Sequence, residues 1–177
     1  MIKGTRVLLR PITKEDLPIQ HKYYQNIEHW TLNAGLPQVT TVETMSEWYN
    51  LVTKRDSNKQ FLGIEVDGKY IGPCSLTSSD QEPGNYTYGV SIGDPSYWSK
   101  GYGTEVTRLM VDHSFHYLGA RRVGLRTNSK NPRAIKCFSS CGFVEEGRIR
   151  KLYWIDGSFA DLVFMGILRE EWESLKQ

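Results

Sequence analysis

Apolar and polar residues alternate with period two along some stretches of this chain and recur every three to four residues along others, so the two periods mark strands and helices. Thr5 to Pro11 alternates and ends on proline, which predicts a first strand. Thr13 followed three residues later by Asp16 reads as a capped helix start, and the helix is expected from about Lys14 to Asn26. A looser stretch with Asn33, Gly35 and Pro37 follows, then a second helix from Thr41 to Arg55 carrying Trp48, Leu51 and Val52. The loop between these helices is a natural gate for a substrate. Phe61 to Val66 and Lys69 to Gly72 flank Asp67-Gly68, the signature of a tight hairpin holding strands two and three. Asn85 to Ile92 reads as strand four, broken at Gly93-Asp94-Pro95. Thr104 to Tyr117 is the strongest helix, with Val106, Leu109, Met110 and Phe115 on one face and Gly119 past its end. Arg122 to Thr127 makes strand five, and Pro132 to Cys141 a short helix between the cap Asn131 and the stop Gly142. Val144 to Trp154 and Phe159 to Leu168 close the chain as a hairpin around Asp156-Gly157. This order predicts one α/β (α+β) domain over residues 1–177, a mixed sheet with helices on both faces.

Composition narrows the setting. The 177 residues are 39% hydrophobic and 24% charged, ordinary for a globular domain, and no apolar run approaches the roughly 18 residues of a membrane span. Three cysteines, Cys74, Cys137 and Cys141, lack framework spacing and suit free thiols in a cytoplasmic protein. The Met1-Ile2-Lys3-Gly4 start has none of the sections of a signal peptide. A net charge of +2 is too mild for a dedicated nucleic-acid binder.

The chemistry is concentrated where strand four passes through Tyr97-Trp98-Ser99-Lys100-Gly101-Tyr102-Gly103-Thr104 into the long helix. Unpaired amides and the positive end of the helix dipole converge at such a junction, which suits a phosphate. Gly101 and Gly103 permit close backbone approach, and Lys100 adds a cation at the rim. The plain alternative is a tight turn before a helix. A dinucleotide fingerprint would need a third glycine where Val106 stands, and a P-loop needs a Gly-Lys-Ser or Gly-Lys-Thr that is absent.

The loop resembles the coenzyme A motif of the GNAT family of N-acetyltransferases, Gln/Arg-x-x-Gly-x-Gly/Ala, with Trp98 in the polar position. Asn131-Pro132-Arg133-Ala134, the Cys141-Gly142-Phe143 strand entry, Asp156-Gly157-Ser158-Phe159-Ala160-Asp161 and Met165 to Trp172 are similar to the branch that acetylates ribosomal-protein N-termini, spermidine and some antibiotics. The resemblance implies a seven-stranded, mostly antiparallel sheet with about four helices, strands four and five being splayed and held apart by a bulge. It implies acetyl-CoA as co-substrate, its pantetheine arm pairing with Val90, Ser91 and Ile92 and its pyrophosphate held by Lys100, Gly101, Tyr102, Gly103 and Thr104. Asn131 would bond the arm, Arg133 and Lys136 would lie near the adenine and phosphates, and Ala134 and Phe138 would complete the lining. Asn131 has a simpler reading as a helix cap.

Acetyl transfer needs a neutral amine, a stabilised oxyanion and a protonated leaving thiolate, yet an amine of pKa near 10 is almost wholly charged at pH 7. The family's usual proton handlers are replaced: the glutamate position falls at about Thr87, the tyrosine at Phe138, and the serine and glutamate of the ribosomal-protein branch at about Ala134 and Tyr153. Tyr153 is the best substitute as catalytic acid, against a plain role as a core aromatic. Glu28 and His29 are candidates to face the acceptor groove. Tyr23, Tyr24, Trp30, Trp48 and Tyr49 would line it or simply pack the core. His113 and His116 lack a third spaced ligand, so no metal site is expected, and Cys137 and Cys141 read first as small hydrophobes. The expected reaction is direct acetyl transfer to an amine-bearing small molecule or, preferred because the groove helices are aromatic and only modestly acidic, a peptide or protein N-terminus. A homodimer is compatible with this reading, and neither nucleic acid nor membrane is expected as a partner. The rivals are a non-catalytic acyl-CoA sensor and an interaction domain that keeps only the fold.

Overall fold

The computed structural model describes residues 1–33, 40–78 and 80–176, and in it the alternating stretches join into an eight-stranded sheet. The strands are β1 (Ile2–Lys3), β2 (Leu8–Arg10), β3 (Lys59–Val66), β4 (Lys69–Ser78), β5 (Asn85–Val90), β6 (Arg122–Asn128), β7 (Val144–Ile155) and β8 (Ser158–Leu168). They lie in the order β1-β2-β3-β4-β5-β6-β8-β7, antiparallel except for the β5–β6 pair. The extra strand, β1, is two residues long and pairs with Leu8 and Leu9, too short to show a period in sequence. It shifts the numbering, so the expected strands four and five are β5 and β6. Both hairpins form as expected: Asp67 and Gly68 have φ of 49° and 75°, and Asp156 and Gly157 46° and 68°, the pair of left-handed residues a type I′ turn requires.

Among the described residues there are six α-helices: α1 (Leu17–Tyr24), α2 (Ile27–Leu32), α3 (Val42–Thr53), α4 (Tyr102–Tyr117), α5 (Pro132–Ser139) and α6 (Arg169–Ser174). The single helix expected from Lys14 to Asn26 is instead a 3₁₀ turn at Lys14–Asp16, α1, and a break at Asn26. Asn26 is extended and its side-chain oxygen accepts from the Glu28 amide at 2.9 Å, so it starts α2 rather than ending α1. Of the stretch between the helices, Gly35 and Pro37 lie outside the described residues.

The main core joins Val106, Met110 and Phe115 of α4 to Leu76, Tyr88, Val123 and Met165 of the sheet. Ile12, Tyr23 of α1, Met45 and Val52 of α3, and Tyr70 of β4 are also buried and are not part of that cluster. Arg10 locks the sheet to the α1 turn, its Nε 2.6 Å from Glu65 and its two terminal nitrogens 2.7 and 2.8 Å from Asp16.

The feature that positions the site is a parting of strands. β5 pairs with β6 only from Asn85–Arg122 to Thr87–Gly124. Beyond that point β5 stays with β4 as far as Val90–Cys74, while β6 stays with β8 as far as Asn128–Leu162. The expected bulge is not on β5, whose register on β4 is unbroken; it lies one strand over, on β4, where Ile71 is the extra residue between Tyr70–Glu65 and Gly72–Ile64. Gly72, at φ 143°, lets the chain after β5 press closely there, since a Cβ would fall 2.0 Å from the Ser91 carbonyl oxygen.

Candidate active site at the parted strands

Hydrogen bonding along β5 and its extension alternates in direction. The Ser91 and Gly93 amides donate to Pro73 and Ile71 of β4 at 3.0 and 2.9 Å. Tyr88, Val90 and Ile92 must therefore turn their amides and carbonyls to the opposite edge, where β6 has departed. The Ile92 carbonyl accepts from Trp98 Nε1 at 2.7 Å. Among the described residues the Val90 groups and the Ile92 amide have no partner, which leaves a short open ladder suited to an extended ligand. Ser91 does not belong to that ladder, because β4 already takes its amide.

The same segment leads into α4. Gly101 occupies the N-cap at φ 86°, has no side chain to cap the helix, and accepts only from Glu105 N. The amides of Tyr102, Gly103 and Thr104 therefore have no recorded acceptor among the described residues, and they carry the positive end of a 16-residue helix. Gly103 is not there for its backbone angles. A Cβ would meet only Cys137 Sγ at 3.7 Å and Ile92 Cδ1 at 3.8 Å, so its bareness leaves room for a ligand. Arg6 fixes the loop from behind, donating to the Lys100 carbonyl at 2.8 Å and pairing with Glu105 at 3.1 Å, while the Lys100 side chain stays exposed at the rim.

Two cavities open here. The larger, about 430 Å³, runs from Val90, Ser91 and Ile92 past Gly101, Gly103 and Thr104 to Arg133 and Lys136. The smaller, about 320 Å³, is walled by Tyr24, Trp48, Phe61 and Tyr88 on the α1–α3 side. They share Leu32, Asn33, Val90, Ser91, Asn131, Ala134 and Phe138. Of the residues expected to contact the cofactor, the larger cavity brings together all but Lys100 and Tyr102, which flank its glycines. Arg133 lies over the Trp98 ring at 4.1 Å, which puts a guanidinium at this mouth and explains an indole in the family's polar position. Asn131 takes the capping role, its Oδ1 accepting from Ala134 N at 3.0 Å while Nδ2 donates to the Leu32 carbonyl at 3.1 Å. Each end of that amide keeps one further hydrogen-bonding position for a ligand.

Among the described residues that line the smaller cavity there is no aspartate or glutamate, and the one cation is the exposed Arg126. Of the five aromatics expected in the groove, Tyr24 and Trp48 line it, and Trp30 stacks on Tyr24 at 4.8 Å. Tyr23 is buried behind, donating to the Tyr70 carbonyl at 3.3 Å, and Tyr49 is not a lining residue. His29 lines the larger cavity, is 3% exposed, and has its Nε2 3.3 Å from Ser91 Oγ. Burial pushes its pKa down to about 4, so the ring is neutral at pH 7.

Other expectations fall elsewhere. Tyr153 sits half-buried on β7, the edge strand separated from β6 by β8, opposite Ala160, and lines neither cavity. Glu28 is exposed and also outside both. Thr87 is exposed on β5 opposite Thr77. His113 bonds Gln60 at 3.0 Å, and the described residues hold no cluster of three metal-ligating groups. Cys137 lines the larger cavity with Sγ 3.4 Å from Thr104 Oγ1, and Cys141 donates to the Thr104 carbonyl at 3.6 Å. Trp48, Phe61 and Arg126 meet only through the fold, and Phe61 and Arg126 carry no local sequence signal.

Comparison with known proteins bears on the geometry. The chain is 26% identical over 170 residues to the SPbeta prophage-derived uncharacterized N-acetyltransferase YokL of Bacillus subtilis, covering 96% of this chain and 94% of that one. It is 26% identical over 166 residues to the spermidine N(1)-acetyltransferase of Escherichia coli, covering 94% and 88%. The fold matches the crystal structure of the Vibrio cholerae spermidine N-acetyltransferase, in complex with CoA and spermine, with a TM-score of 0.84 at 23% identity over 96% of this chain and 99% of that one. The acetyltransferase (GNAT) domain family matches residues 6–144, spanning the parted strands, the glycine loop and α5. The chain therefore belongs to the GNAT acetyltransferase family, and it is an acetyltransferase.

Proposed function

We propose that the chain moves the acetyl group of acetyl-coenzyme A onto a primary amine by direct attack between the parted strands. The observation that carries this is the continuity of one cavity from the open ladder at Val90 and Ile92 to the unpaired amides at the start of α4. The pantetheine arm would complete the ladder, with Val90 and Ile92 as partners, and its amides need such groups. The pyrophosphate would take the amides of Tyr102, Gly103 and Thr104 with Lys100 beside them, and Arg133 and Lys136 would flank the adenosine end. Ala134 and Phe138 would pack against the arm where the cavities meet. The acetyl carbonyl then has an open β5 amide as its polarising donor, which demands no special side chain.

For the acceptor, a peptide or protein N-terminus fits the smaller cavity better than a polyamine does. A polycation would find no carboxylate among the described lining residues and would meet Arg126, whereas a peptide brings one amine, carbonyls and an apolar side chain for Tyr24, Trp48 and Phe61. The polyamine reading is favoured by the names of the Escherichia coli and Vibrio cholerae relatives. A thiol-release assay with acetyl-CoA and a panel of N-terminal peptides, arylalkylamines and spermidine separates the two. Peptides are expected to turn over with kcat/KM at least tenfold above spermidine. The reverse ranking overturns the acceptor preference, and silence across the panel despite tight cofactor binding overturns acetyl transfer itself.

A further inference from the structure

Ser91 stands where the two cavities meet, and its side chain faces α1 and α2, because residues alternate across β5 and the next odd position, Gly93, abuts the Tyr23 ring. Its hydroxyl is 3.3 Å from His29 Nε2. His29 is packed among rings, with centroids of Tyr23, Tyr24 and Trp30 at 6.4, 5.8 and 6.3 Å. Its other nitrogen, Nδ1, is buried without a hydrogen-bond partner among the described residues. A buried N–H with no acceptor costs more than a lone pair with no donor, so we assign the proton to Nε2. His29 then donates to Ser91 Oγ, which leaves that oxygen one free lone pair and one O–H to offer the site.

Resting on the acetyl-transfer reading, we propose that Ser91 is the proton shuttle of the reaction, carrying a proton from the attacking nitrogen to the departing sulfur, and that His29 positions it. The neutral amine forms a C–N bond to the thioester carbon as the carbonyl π pair moves onto oxygen, leaving a proton too many on nitrogen. That proton passes to Ser91 Oγ while the hydroxyl's own proton passes to sulfur. The oxyanion re-forms the carbonyl, the C–S bond breaks, and amide and free thiol leave with Ser91 as it began. His29 never changes charge. The phenols of Tyr23 and Tyr24 are the titratable groups facing it, and burial raises both, so they too stay neutral. One hydroxyl thus serves both ends of the transfer.

The test uses the full chain with acetyl-CoA and its best peptide acceptor. Ser91→Ala keeps the backbone ladder and the Cβ, so coenzyme A affinity by calorimetry and KM for acetyl-CoA are expected within twofold of wild type. kcat is expected to fall about 100-fold, the scale of positioned proton transfer. Ser91→Thr, which restores a hydroxyl, is expected to recover most of it. His29→Gln is expected to lose less than Ser91→Ala, and the double variant to be no slower than Ser91→Ala alone, because His29 acts only through Ser91. A Ser91→Ala enzyme with kcat within threefold of wild type overturns the shuttle while leaving acetyl transfer intact. A double variant slower by the product of the single losses overturns the link to His29. A wild-type chain that binds coenzyme A and transfers nothing overturns both.

Discussion

Two buried residues make this protein sensitive to acid in the same direction for different reasons. His29 has a folded pKa near 4 against about 6.5 in an unfolded chain, so on acidification the unfolded state takes up the proton first. Stability therefore falls as pH drops from about 6.5 to 4. For Asp16, burial alone would raise the pKa, but the two Arg10 bonds and the Thr13 amide more than offset it and hold the carboxyl below its usual value. Its contribution is present above the unfolded pKa and is lost as pH falls through the folded one. Urea unfolding of the ligand-free chain should show a loss on the order of 2–3 kcal/mol between pH 7 and 4.5 that His29→Gln removes. A flat profile over that range in the wild type contradicts the buried neutral ring. The contrast between residues legible in sequence and those that were not follows from this kind of burial. Gly101 and Gly103 announce themselves because a phosphate cradle needs their types at fixed local spacing. His29 gains its meaning from a contact 62 positions away and from exclusion of water, neither of which leaves a trace in neighbouring letters.

At the scale of elements, the site exists because β5 and its extension bond β4 along their whole length and β6 for only three residues. Gly72 and Gly93 keep the extension in place. A Cβ on Gly72 would strike the Ser91 carbonyl at 2.0 Å, and one on Gly93 would strike the Tyr23 ring at 2.0 Å. Gly72→Ala, strained also by its φ of 143°, should lower stability by about 1–3 kcal/mol and weaken coenzyme A binding, because the ladder at Val90 shifts with Ser91. Thermal melting and calorimetry on that variant check both, and unchanged values for the two contradict the packing argument. The hairpins, the long helix and the glycine loop were readable from period and turn chemistry. Short elements were not: β1 spans two residues and α2 and α6 six each, less than two turns of any period. The parting of the strands came from the family resemblance, since no local pattern tells a strand where its neighbour departs.

For the molecule as a whole, the proposed reading assigns one ligand to each of the two cavities. The larger is built from backbone groups and a helix dipole, with Arg133 and Lys136 on its lining, and suits an anion with an extended arm. The smaller is lined by aromatic side chains of α1, α3 and β3 that only the fold assembles. The glycines of the first stand out in the sequence because backbone recognition calls for them. The second could be named only as a cluster of aromatics, and Tyr153, chosen by analogy of position, proves to lie away from both. Among the described residues no helix is long and apolar enough to cross a membrane. The central claim, that the unpaired amides at residues 102–104 grip the diphosphate of coenzyme A, is tested most directly by titrating coenzyme A into wild type and Gly103→Asp in a calorimeter. A Cβ at this position meets nothing nearer than Cys137 Sγ at 3.7 Å, and the carboxylate beyond it would compete with the diphosphate, so the account predicts a single site in the wild type, at least a 100-fold weaker one in the variant, and nearly equal melting temperatures. Equal affinities in two equally folded proteins would contradict it.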